Sequence, residues 1–456
     1  MSGGIVDKYD SGKKRGGVRG LVSVGKAGAL ESYVALAVFT AAYILFVALP
    51  GQRWVVGLAG LGILLAAGVM GPVQAFWMVN WNVMGVFVGT LVLAELFVLS
   101  EMPAYVAERM LRKSPNAAVA MVGICVLTGV ISMVAENVAT VLIVAPVAMA
   151  MARKLKVSPI PLMVGVAVSS NLQGAATLIG DPPSMILAAY SDAGHRAMNF
   201  MDFFWYQGRP SIFFAIQAGA VASTAVLYLM FRRYRQAVKL EVEDRYSSVV
   251  PTVLLGALIA LLVVSSYADP DFIYLAGTVS AVCAGVGLIW HWGKKEPLWP
   301  LLRKLDWQTT IFLGAVFIIV GGVQATGWME KVVVLMRSLT GGNALLTFAV
   351  IVGFSVVVSA FVDNVPFLAA MVYVAGPLAN DLGQPPALLL FGLLIGASLG
   401  GNITPIGASA NIVACGYLGK NGYHVKFWEF VRVGLPFTLA AVGAASVFVW
   451  LIWGRV

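Results

Sequence analysis

Ser169-Ser170-Asn171-Leu172-Gln173-Gly174-Ala175-Ala176-Thr177-Leu178-Ile179-Gly180-Asp181-Pro182-Pro183-Ser184 lies within an apolar run, yet it cannot be one regular helix. Gly174 and Gly180 permit backbone turns, and Pro182 with Pro183 lack amide donors but suit the first turn of a new helix. A second stretch, Ser398-Leu399-Gly400-Gly401-Asn402-Ile403-Thr404-Pro405-Ile406-Gly407-Ala408-Ser409-Ala410-Asn411, breaks for the same reasons. Each break frees carbonyls and amides that a ligand, ion, water or side chain must satisfy. At membrane depth such backbone is tolerated only inside protein or along a cavity.

The two stretches belong to a repeat. At a shift of 227 residues, Glu136-Asn137-Val138 falls on Asp363-Asn364-Val365, Thr177-Leu178-Ile179-Gly180 on Thr404-Pro405-Ile406-Gly407, and Gly174 on Gly401. With a gap of one residue, Trp81 meets Trp307 and Gly208-Arg209-Pro210 meets Gly434-Leu435-Pro436. The order is the same in both copies, which points to an internal duplication.

The surrounding composition is that of a membrane protein. Of 456 residues, 60% are hydrophobic and only 11% charged, against roughly 25% charged in soluble proteins. The mean hydropathy is +0.88. A soluble enzyme with this balance is excluded, and the net charge of +9 does not signal nucleic acid, because the Lys and Arg residues lie between apolar runs. Cys125, Cys283 and Cys415 stand far apart and make no metal-ligand spacing. The tail before residue 32 is polar, Gly-rich and basic, with no signal-peptide pattern.

Apolar runs long enough to cross a bilayer fall at 32–49, 54–70, 82–100, 159–190, 212–231, 250–267, 272–290, 309–325, 387–415 and 433–453. Two further segments, 117–152 and 343–377, carry acidic tips at their middles, Glu136-Asn137 and Asp363-Asn364. Each reads as a re-entrant hairpin. Five crossings separate residue 82 from its counterpart near 309, and a hairpin adds none or two, so the second copy is inverted. The expected fold is therefore an all-α polytopic membrane protein of two inverted repeats. Each holds five transmembrane helices, one of them broken, plus a re-entrant hairpin, the pattern of secondary transporters with a midplane site. The expected organisation is a basic tail at 1–31, repeats at 32–231 and 250–456, and a cytoplasmic linker at 232–249. Outside the tail, most Lys and Arg collect in one set of loops, including Arg53, Arg109, Arg112, Lys113, Arg153, Lys154 and Lys156. That side is expected to be cytoplasmic, although it leaves the basic tail on the other side.

Glu95, Glu136, Asp181 and Asp363 are the acids inside apolar segments, and no Lys or Arg is read there. A charge at mid-bilayer costs at least about 2.5–3.5 kcal/mol, so each acid is a candidate for function. Glu136 and Asp363 occupy matched tips. Glu95 has no acidic counterpart and could simply face an interface. Carboxylates and unwound carbonyls suit a cation, while the half-helix N-termini after the breaks and tips suit an anion. The apparent lack of basic residues in the spans weighs against a polycarboxylate. An intramembrane aspartyl hydrolase built on Asp181 and Asp363 leaves the repeat unexplained, so the chain is expected not to be an enzyme.

Phe361-Val362-Asp363-Asn364-Val365-Pro366-Phe367, the Ser398-to-Asn411 stretch and Thr177-Leu178-Ile179-Gly180-Asp181-Pro182-Pro183 resemble the ion transporter superfamily. Within it, the resemblance points to the group of the melanosomal P protein, arsenite-pump and sodium/proton antiporter permeases, which share a citrate-transporter-like domain. It implies an elevator-type carrier, often a homodimer, in the plasma membrane, with no cofactor and sodium or protons as coupling ion. It also implies a site at Glu136, Asn137, Asn171, Gly174, Thr177, Asp181, Asp363, Asn364, Asn402, Thr404 and Asn411, with sodium held at Asn137, Asn171, Asn364 and Asn402. Sodium/dicarboxylate members of this fold carry Ser-Asn-Thr at both tips, where this chain has Glu136-Asn137-Val138 and Asp363-Asn364-Val365. The expectation is therefore transport of a small inorganic ion by sodium or proton exchange or arsenite-type efflux, with citrate or dicarboxylate uptake as the alternative.

Overall fold

The computed structural model describes residues 28–454 except 113, 193–194 and 237–245. All but the last four residues of the expected basic tail, and the middle of the expected linker, lie outside the described residues; Ala29, Leu30 and Glu31 of that tail already belong to the first helix. The first half comprises α1 (Ala29–Ala48), α2 (Arg53–Ala66), α3 (Pro72–Met78), α4 (Trp81–Leu99), α5 (Met102–Arg112), α6 (Ala117–Ser132), α7 (Asn137–Lys154), α8 (Ile160–Gly174), α9 (Pro182–Ala189) and α10 (Ile212–Phe231). The second half comprises α11 (Val250–Ala268), α12 (Leu275–Gly293), α13 (Leu298–Lys304), α14 (Trp307–Ala325), α15 (Trp328–Leu339), α16 (Ala344–Ser359), α17 (Asn364–Asp381), α18 (Pro386–Gly400), α19 (Ser409–Lys420) and α20 (Phe427–Trp453). Among the described residues, nine helices are long and apolar enough to cross a membrane. A two-residue antiparallel pairing, β1 (Trp205–Tyr206) with β2 (Arg209–Pro210), sits in the α9–α10 loop.

The duplication is visible in hydrogen bonds as well as in helix order. Trp81 Nε1 donates to Phe76 O at 3.0 Å, and Trp307 Nε1 donates to Leu302 O at 2.7 Å. Asn80 and Asp306 cap α4 and α14, and Asn116 and Asn343 cap α6 and α16, each side chain accepting from an amide three residues on. Side-chain caps of this kind satisfy amides that a helix start leaves free.

The helices sort into two bundles. In one, α4 packs on α12 and α11, and α14 on α2 and α1. The α2–α14 seam is close because glycines face it: a Cβ on Gly57 would come within 2.8 Å of Ala315 Cβ. The matching seam brings Ser280 against Gly89, the residue 226 positions before Ala315. In the other bundle, α8 and α18 are buried along nearly their whole length, wrapped by α6, α7, α10, α16, α17 and α20. We call the first bundle the scaffold and the second the core. The segments joining them, 103–114 and its counterpart, differ from the loops the sequence suggests. They form α5 and α15, both amphipathic, and α15 meets α16 at 118°. Arg109 and Arg112 stand on the last turn of α5, where they complement the helix dipole.

Candidate functional site

Both hairpin tips form as expected. Residues 133–136 separate α6 from α7, and residues 360–363 separate α16 from α17. The tip acids become N-caps. Glu136 Oε2 accepts from the Val138 and Ala139 amides at 2.8 and 3.0 Å, and Asp363 Oδ1 accepts from the Val365 amide at 3.0 Å. Asp181 caps α9 in the same way, through Ser184 N at 3.1 Å.

Each tip is fastened to its break by matched contacts. Ser132 Oγ donates to Asn137 Oδ1 at 2.5 Å, and Ser359 Oγ to Asn364 Oδ1 at 2.7 Å. Thr177 donates to the Met133 carbonyl, and Thr404 to the Ala360 carbonyl. A Cβ on Gly174 would run into the Asn137 side chain, and one on Gly401 would sit 3.0 Å from Asn364 Oδ1. These glycines are needed because the tip asparagines press against them. Thr177, Thr404, Gly174 and Gly401 are thus braces of the tips.

Across the two halves the packing is asymmetric. Asn171 Nδ2 donates to Asn402 Oδ1 at 2.8 Å and to Asn411 Oδ1 at 2.9 Å. Asn402 Nδ2 donates to Val168 O at 3.2 Å, and Asn411 Nδ2 reaches Gly401 O and Thr404 O, both at 2.9 Å. All three side chains are buried. Carbonyls freed by the second break are therefore satisfied by Asn411, and the first break is pinned to the second through Asn171.

A cavity of about 230 Å³ collects both tips and both breaks, the first through Asn171 and Asp181–Pro183 and the second through Ala408–Ala410. Its wall includes Glu136, Asn137, Asn171, Asp181, Asp363 and Asn364. Gly174, Thr177, Asn402, Thr404 and Asn411 are not among its lining residues. The four asparagines expected around sodium therefore do not form one cage: three face the cavity and Asn402 lies behind it. Among the described residues there is no cluster of three or more His, Cys, Asp or Glu spaced for a metal. Glu95 stands outside the cavity, 3.6 Å from Lys304.

Two wall residues escape a reading of hydropathy. Asp306 caps α14 and faces the cavity. Arg53, the first residue of α2, also lines it and pairs with Asp363 Oδ2 at 2.5 Å. Arg53 lies between the apolar runs, as the sequence reading has it, yet it reaches the cavity, so the lack of basic residues within the runs does not leave the site without one. Arg53 follows Pro50-Gly51, which reads as a loop, and only the tertiary fold carries it inward. Its pair is largely shielded, with side chains 15% and 10% exposed. The scaffold holds the guanidinium from the other side, Nε donating to Phe46 O at 3.3 Å.

The wall thus combines four carboxylates, one guanidinium and the starts of α2, α7, α9, α14, α17 and α19. Helix starts favour anions, and the surplus of carboxylates favours cations. Asp181 has Ala408 at its repeat-equivalent position. Carried over by the matched seams, Arg53 corresponds to Ala276 on α12, so both charges are unmatched.

Comparison with known proteins gives a consistent picture. A family model described as citrate transporter, CitMHS, matches residues 43–396 and 338–456. An uncharacterized transporter of Mycobacterium tuberculosis is 29% identical over 429 residues, spanning 92% of this chain and 98% of that protein. The P protein of Homo sapiens is 24% identical over 497 residues, spanning 90% of this chain and 59% of the longer protein. Among solved structures, the YdaH transporter of Alcanivorax borkumensis, described as having an unusual topology, shares the fold with a TM-score of 0.59 at 14% identity. The match covers 92% of this chain and 97% of that one.

Proposed function

The chain belongs to the citrate transporter family, and we propose that it is an ion-coupled secondary carrier in which the cavity binds a small inorganic ion and the core moves against the scaffold. The observation that carries this reading is the meeting of both hairpin tips and both breaks in one small cavity with four carboxylates. At about 230 Å³ it is smaller than the roughly 300–1,000 Å³ of pockets for drug-sized ligands. It has room for about seven waters at about 30 Å³ each.

A cation satisfies the carboxylate surplus, while an anion or oxyanion can be held by the helix starts and by Arg53. Pro50, Gly51, Asp306 and Gln308 line the cavity beside the loops that carry most of the Lys and Arg residues, so this arrangement is read as cytoplasm-facing. The division into scaffold and core, joined by amphipathic α5 and α15, supports elevator-type movement. Plasma-membrane location and homodimeric assembly belong to the same reading.

Citrate or dicarboxylate uptake is the second reading. The family description and the guanidinium in the cavity favour it. Reconstitution into liposomes tests both: uphill movement of sodium, arsenite or citrate on an imposed proton or sodium gradient identifies cargo and coupling ion. Flux that only runs down its own gradient would exclude a coupled carrier.

A further inference from the structure

We propose that Arg53 is a built-in counter-cation that fills the cation position at Asp363 in the unloaded carrier and locks the core to the scaffold until a transported cation replaces it. This rests on the carrier reading above and adds to it a reason for obligatory exchange.

The ion pair joins the two bundles. Arg53 begins α2 of the scaffold, and Asp363 ends the tip before α17 of the core. A second tie runs beside it, from the Tyr43 hydroxyl on α1 to the Pro366 carbonyl on α17. Asp363 Oδ1 is committed to its helix cap, so Oδ2 is the oxygen left for a cation, and Arg53 takes it. Hairpin one differs. Glu136 bonds amides of its own helix, and among the described residues no ion pair reaches it.

Arg53 cannot travel with the core, because α2 is sealed against α14 at the Gly57 and Gly60 contacts. An empty core would therefore have to break a shielded pair and carry a bare carboxylate through the membrane, both of which are costly. A cation that binds Asp363 neutralises the tip, releases Arg53 and lets the core move. The empty core stays, so the carrier exchanges cations and does not return unloaded.

The test uses the full chain with its three cysteines replaced by alanine and spin labels at Leu58 on α2 and Val126 on α6, both exposed. Distance distributions are recorded without added sodium. Arg53→Gln is expected to lower the population of the locked distance about tenfold relative to the alternatives, Asp363→Asn to do the same, and the double variant to add nothing. Arg53→Lys, which keeps the charge, is expected to stay near the parent and shows that the label sites report the pair. Distributions unchanged in Arg53→Gln would overturn the lock.

A second arm measures radioactive sodium and proton efflux from liposomes. The parent is expected to require a cation on the far side, whereas Arg53→Gln leaks without one. Efflux from Arg53→Gln that still demands the far-side cation would overturn the coupling role. Distances that respond in liposomes showing no sodium or proton flux would support the lock while sinking the carrier reading.

Discussion

Asn171 is the point where the two halves depend most directly on each other, and its removal has a calculable cost. Asn171→Ala deletes the donor shared by Asn402 Oδ1 and Asn411 Oδ1, both fully buried. A buried polar atom left without its partner costs about 1–3 kcal/mol, so two orphaned acceptors amount to about 2–6 kcal/mol. Asn411→Ala is different in kind, because it also frees the carbonyls of Gly401 and Thr404. Residues in one network couple by about 0.5–3 kcal/mol, so the Asn171→Ala/Asn411→Ala double variant should cost less than the sum. SDS titration of the purified protein, followed by tryptophan fluorescence, measures all three. An Asn171→Ala variant within about 0.5 kcal/mol of the parent, or strictly additive losses, would refute the pin between the breaks.

Three further outcomes are expected. Glu136→Gln keeps a carbonyl that can cap Val138 and Ala139; it should therefore fold normally, as judged by size-exclusion chromatography, while gradient-driven flux in liposomes falls to the background of empty vesicles. Gly401→Ala places a Cβ 2.7 Å from Gly407 O, and overpacking of this kind costs about 1–3 kcal/mol, read as a lower SDS midpoint with the tip loosened. His195, in the α9–α10 loop, is pushed by burial from its ordinary 6.5 down to about 4. Below 6.5 the unfolded chain takes up a proton that the folded one refuses, so its stabilising contribution is complete above that value and is lost as pH falls toward 4. The loss approaches about 3 kcal/mol, and His195→Gln should flatten stability against pH over that window.

The sequence was legible where local chemistry dictates backbone. The breaks follow from Gly174, Gly180, Pro182 and Pro183, and the tips from acids with cap-forming side chains in apolar surroundings. The inversion follows from an odd number of crossings, which does not depend on hairpin depth. The less legible elements are those whose role is set by what they pack against. Helices α5 and α15 carry too many polar residues for a hydropathy reading and are held by the bundles they join. Their amphipathic periodicity was the available signal. Arg53 and Asp306 flank apolar runs and look like loop charges; nothing local says that the first will meet Asp363 across 310 residues. Thr177 and Thr404 were legible as polar residues at matched positions, but their work as braces depends on carbonyls of a distant hairpin.

If the chain exchanges ions as proposed above, the unmatched charges make its two half-cycles unequal. In a perfectly duplicated carrier, the state open to one side is the mirror of the state open to the other. Here Asp181 stands opposite Ala408, and Arg53 opposite Ala276. Such a molecule can be kinetically polar: loading from one face begins by breaking an ion pair, and loading from the other does not. Gradients alone still fix where net transport stops, since no protein asymmetry can move an equilibrium. What differs is the approach to it, with half-saturating concentrations on the two faces set by separate local barriers.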